Sequence, residues 1–233
     1  MRDKTRGWLP GAALLGAFAA WTILICTVDI QPIGPQGSTV GFARWNLWFH
    51  KLTGVHMGLY TVTDWLGLVP ILVCLCFGVL GLGQWIRRRR LLAVDVDILL
   101  LGVYDVLVIF GYLFFEMVPI NYRPVLIDGV LEASYPSSTT LLVLSVMPTL
   151  SLQLRRRGRG PLTTAAALLS AFFSAFMVLG RLISGVHWFT DIVGAMFLSG
   201  GLFLLYRYAV ALGDSAAPQR EESPWSSTKN CRS

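Results

Sequence analysis

The chain has 233 residues, of which 55% are apolar and 14% charged, well short of the roughly one-quarter charge of an ordinary soluble domain. That composition excludes a water-soluble globular enzyme. The formal charge of +6 does not point to nucleic acid, because eight of the arginines sit in two runs, Arg87 to Arg90 and Arg155 to Arg159, each abutting an apolar segment, which is a topology signal.

In chain order, apolar runs long enough for the ~20 residues that cross a bilayer predict spans at 8–29, 60–85, 93–119, 136–154, 161–183 and 187–212. The run after Met1 to Arg6 is too long for a cleaved signal sequence and is read as the first span. Lipid-exposed backbone must satisfy its polar groups internally, so the spans are helices, with bends expected at Pro70 and Pro148. The fold class expected is an all-α, integral membrane six-helix bundle. Residues 1–212 form one membrane domain, and 213–233, rich in Ser, Pro and charge, read as a disordered cytoplasmic tail. Placing Met1 inside puts both arginine runs inside and leaves Arg44, Lys51, Arg123 and Arg181 outside, as the positive-inside rule requires. A plasma-membrane protein with both termini cytoplasmic is expected. Cys26, Cys74, Cys76 and Cys231 show neither a disulfide framework nor a zinc spacing.

Between the first two spans, Phe42, Trp45, Trp48, Phe49 and Leu52 recur at helical spacing with Arg44, Asn46, His50 and Lys51 among them. This segment is expected to lie in the membrane interface, either as a plain anchor or as a collar around an opening for lipid. In the third span, Tyr112 and Glu116 fall within about 20° of Asp105 on a 3.6-residue helix. That polar stripe is expected to face the bundle interior, as a structural hydrogen-bond stripe or a proton or cation pathway.

Three polar clusters fall on the outer side. Asn121-Tyr122-Arg123-Pro124 follows the third span, and Tyr135-Pro136-Ser137-Ser138-Thr139-Thr140 opens the fourth. Amides of Ser137, Ser138 and Thr139 in a first helical turn would be free to hold an anion. The third cluster, Arg181 to Asp191, places His187 and Asp191 one helical turn apart, so that Asp191 can orient the imidazole and leave its other nitrogen free to attack. Two guanidiniums, a helix N-terminus and an oriented imidazole at one membrane face suit phosphate. Arginine presents a planar fork to phosphate oxygens, and histidine can accept a phosphoryl group covalently.

At these residues the chain resembles the type 2 phosphatidic acid phosphatase superfamily, whose signature runs K-x6-R-P, then P-S-G-H, then S-R-x5-H-x3-D. The first part is met by Arg123-Pro124, the second by Pro136-Ser137 and the third by Arg181, His187 and Asp191. The resemblance implies a six-helix bundle with an extracytoplasmic site. It also implies His187 as nucleophile, Asp191 as its orienting partner, and Arg123 and Arg181 with the amides near Ser137 and Ser138 as phosphate ligands. The substrate would be a membrane lipid phosphate or pyrophosphate, with no metal and no cofactor. Four positions depart from the pattern: Glu116 stands for Lys, Ser138 for Gly, Thr139 for His and Gly180 for Ser. In the family the replaced His protonates the departing alcohol, so His50, Lys51, His56, Glu116 and Glu132 are the alternatives for that role. Two functions follow: a lipid phosphatase working through a phosphohistidine, or a protein of the same fold that binds or transports lipid phosphate with weakened turnover.

Overall fold

A computed structural model describes residues 6–216. The described residues are helical, without named strands: α1 (Leu9–Thr27), α2 (Ala43–Thr53), α3 (Met57–Leu66), α4 (Leu68–Arg88), α5 (Val96–Met117), α6 (Ser138–Arg157), α7 (Pro161–Ile183) and α8 (Phe189–Ala216). Five segments are long and apolar enough to cross a membrane: α1, α3 with α4, α5, α7 and α8. The remaining expected span, 136–154, falls on α6. Its Ser, Thr and Gln content keeps it below that apolarity for a physical reason, since it packs against α4, α5, α7 and α8 and faces protein more than lipid. Its buried residues include Thr140, Ser145, Thr149 and Gln153, and buried polar groups are tolerated when hydrogen-bonded. Gln153 Nε2 donates to Tyr206 Oη at 2.5 Å, and Tyr104 Oη donates to the Ser145 carbonyl at 3.1 Å.

Pro70 and Pro148 behave differently. Pro70 has no N–H for the Leu66 carbonyl, and the helix pauses beside it at Gly67, between α3 and α4. α6 runs unbroken through Pro148. The tail expectation also needs correction: residues 213–216 continue α8, because Asp214 pairs with Arg156 at 2.7 Å. The rest of that tail, with Cys231, lies outside the described residues.

The two arginine runs meet at one end of the bundle. Arg88 pairs with Asp95 at 2.8 Å, and Asp97 receives Arg156 at 3.5 Å and Arg157 at 3.3 Å. The Arg88 guanidinium, with Gln84, holds the Asp95 carboxyl below its ordinary pKa. The polar clusters of the sequence gather at the other end.

The stripe on α5 does not face a closed interior. Tyr112 and Glu116 are exposed and Asp105 is half-buried, because α4 and α5 stand apart and leave a cavity of about 570 Å³. Asp64, Ser138 and Thr139 line it, and so do Ile71, Cys74 and Asp105.

Candidate active site

His187 lies in the connection from α7 to α8, and its side chain is 1% exposed. The chain reaches it through Gly185, whose φ of +70° is in the left-handed region and whose absent Cβ would lie 2.0 Å from the Gly54 carbonyl oxygen. Only glycine fits there. Asp191, in the first turn of α8, brings Oδ2 to 3.7 Å from His187 Nδ1. This is longer than the hydrogen bond expected, because the carboxylate accepts two other donors: the Trp188 amide at 2.9 Å and Asn121 Nδ2 at 3.3 Å. Catalytic hydrogen bonds are often long in the absence of substrate. Burial, joined by the charges of Arg123 and Arg181, holds the His187 pKa well below 6.5, so the ring is neutral and nucleophilic at ordinary pH.

Arg181, in the last turn of α7, is 1% exposed. Its Nη2 donates to Asp64 Oδ1 at 2.8 Å and also to Thr139 Oγ1. Arg123, likewise buried, holds Glu132 with Nε at 2.9 Å. Both guanidiniums lie over the Tyr60 ring, at 5.9 Å for Arg123 and 4.9 Å for Arg181, a cation–π arrangement that brings both to one ring. Each arginine is anchored by one carboxylate. Arg123 Nη1, Arg181 Nε and Nη1, and both ring nitrogens of His187 are buried without a hydrogen-bond partner.

The start of α6 meets this group. Ser138 and Thr139 are half-buried, and as the first residues of the helix their amides lack intrahelical acceptors. Ser137 differs from the expectation of a free amide: its N–H is bonded to the Asp191 carbonyl at 3.2 Å and its hydroxyl to Thr140 Oγ1 at 3.0 Å. It ties α6 to α8. Glu116 is exposed at the edge, lining a small recess with Tyr112 and Ser138.

The alternatives for the missing acid separate. His50 Nε2 bonds the Gly185 carbonyl at 3.0 Å and His56 Nε2 the Thr53 carbonyl at 2.9 Å, while Lys51 is exposed and Glu132 is held by Arg123. Asp64 was missed in the sequence, although a lone carboxylate inside an apolar run is itself a signal. Gly180 explains its reach: a Cβ at that position would lie 2.7 Å from Thr63 Cγ2, so the small residue lets α3 approach α7 and bring Asp64 onto Arg181.

A helical membrane bundle carrying such a His–Asp pair and two converging arginines defines a class, and residues 104–212 match the PAP2 superfamily model. Over α6, α7 and most of α5 and α8 the chain is thus similar to the type 2 phosphatidic acid phosphatase superfamily. In structure, the chain is similar to a transmembrane PAP2-type phosphatidylglycerolphosphate phosphatase from Bacillus subtilis, with a TM-score of 0.58 and 15% identity over 90% of this chain and 98% of that one. At that identity the likeness establishes the fold alone. No curated protein matches the sequence.

Proposed function

We propose that this protein is a membrane lipid phosphatase that hydrolyses a lipid phosphate or pyrophosphate through a phosphohistidine at His187. The observation that carries the reading is the set of buried, unpartnered nitrogens on Arg123, Arg181 and His187. Such groups cost about 1–3 kcal/mol each unless a ligand satisfies them, and a phosphate supplies acceptors of matching geometry. Nδ1 faces Asp191, so Nε2 is the attacking atom. It forms a P–N bond as the P–O bond to the leaving group breaks, and water then cleaves the P–N bond to release phosphate. Arg123, Arg181 and the Ser138 and Thr139 amides balance the charge on the phosphoryl oxygens. The mostly apolar cavity running from Ser138 and Thr139 to Asp105 suits the substrate's hydrocarbon tail. The arginine runs at the opposite end of the bundle support a plasma-membrane topology with the site at the extracytoplasmic face, within a single membrane domain of residues 1–212.

Thr139 decides the leaving group. A hydroxyl is a very weak acid near neutral pH, so an alkoxide departing from a monophosphate lacks a proton donor at this position. The lipid monophosphate departing from a pyrophosphate is already a stable anion and needs none. Phosphate release from matched farnesyl mono- and pyrophosphate by the purified protein tests both steps. Pyrophosphate turnover is expected to exceed monophosphate turnover by roughly the 10²- to 10⁴-fold of general acid catalysis. His187→Ala should abolish both, and Thr139→His should raise only the monophosphate rate. Activity surviving in His187→Ala overturns the phosphohistidine. Binding of both lipids without release favours the second reading, a lipid-phosphate binding or transport protein, which the replacements at Glu116 and Thr139 support.

A further inference from the structure

We propose that α2 is a clamp on the connection that carries His187 and Asp191, with Asn46 and His50 as positioning residues; the proposal rests on the assignment of His187 as the reacting group. One side of α2 exposes Trp45, Trp48 and Leu52, side chains suited to headgroup depth. Its other side reaches both ends of the 185–191 segment.

At the far end, Asn46 is 0% exposed, and both its side-chain polar atoms are bonded. Nδ2 donates to Thr190 Oγ1 at 2.9 Å and to the Gly41 carbonyl at 2.8 Å, and Oδ1 accepts the Thr190 amide at 3.3 Å. Thr190 is the second residue of α8, where an amide has no partner within its own helix. Asn46 therefore caps α8 from a different helix, one residue before Asp191. At the near end, a carbonyl only accepts, so His50 Nε2 carries the proton that it donates to Gly185 at 3.0 Å. The His50 ring lies 5.5 Å from that of Trp188, and Phe49 lies 5.2 Å from Phe189. These contacts bracket His187 and Asp191, so the interfacial helix holds nucleophile and partner in register. A nucleophile displaced by about 1 Å loses on the order of 10²-fold in rate.

The test uses the full chain in nanodiscs of phosphatidylcholine and phosphatidylglycerol, with Asn46→Ala, His50→Phe and His50→Gln. Phe keeps a ring against Trp188 but no donor, whereas Gln returns an N–H at similar reach. Two quantities are read: hydrogen exchange of amides 185–191, and kcat and KM for farnesyl pyrophosphate. Asn46→Ala and His50→Phe should raise exchange in that segment at least tenfold while α6 and α7 stay protected. They should also cut kcat roughly 10- to 100-fold with KM unchanged, and His50→Gln should recover both readings. Unchanged exchange in 185–191 overturns the clamp, and so does a rise spread evenly over all helices, which would mark a role in stability only. Absence of turnover in the unmutated chain would defeat the phosphatase assignment, yet the exchange readings still decide the clamp.

Discussion

His187 sits beside two guanidiniums and one carboxylate, and that surrounding sets its charge. Burial comes first and the Arg123 and Arg181 charges second, and both disfavour the protonated ring. The neutral ring therefore persists below the ordinary histidine pKa of 6.5. The acid limb of kcat/KM is expected to lie below pH 6.5, and a limb at or above that value would contradict the buried, cation-flanked setting. The sign for stability is the same. An unfolded chain takes up the histidine proton near 6.5 while the folded one resists it, so this contribution is present above 6.5 and is lost as pH falls below it. At this scale each arginine divides its nitrogens: one holds Asp64 or Glu132, while Arg123 Nη1 and Arg181 Nε and Nη1 are buried without a hydrogen-bond partner.

Among the elements, the α7–α8 connection is tightly constrained by backbone. Gly185 and Gly129 both have positive φ, at +70° and +78°, but only Gly185 is crowded, by the Gly54 carbonyl. Alanine in the left-handed region costs about 1–2 kcal/mol. Gly129→Ala is expected to lose that much stability and keep its activity. Gly185→Ala should lose more in thermal unfolding and at least tenfold in phosphate release, since relief of the clash moves the residues leading into His187. Equal effects at the two positions would mean that the α2–α3 loop carrying Gly54 yields. α3 makes a similar point through Gly180, whose missing side chain lets Asp64 reach Arg181.

For the molecule as a whole, the separation of charge predicts its orientation. Arg88, Arg156 and Arg157 gather with Asp95, Asp97 and Asp214 at one end, and Arg123, Arg181 and His187 gather at the other. On a background lacking Cys26, Cys74, Cys76 and Cys231, Asp128→Cys should react with an impermeant thiol reagent on intact cells and Gly158→Cys should not. The reverse pattern would invert the topology and put the site inside.

The sequence by itself determined that this is a helical membrane protein, and it singled out Arg123, Arg181, His187 and Asp191 as candidate site residues. Bilayer thickness sets span length, and the four-residue spacing brings His187 near Asp191 although His187 precedes α8. It also exposed the replacements at Glu116 and Thr139, because motif positions are read one residue at a time. It overstated the apolarity needed of α6, which is shielded by its neighbours, and it placed Tyr112 and Glu116 inside when the α4–α5 gap leaves them exposed. Only tertiary structure decided that Asp64 holds Arg181, that Ser137 spends its amide on Asp191, and that Asn46 and His50 grip the segment around His187. Those contacts join residues distant in the chain, and local periodicity carries no information about which helices approach closely enough to make them.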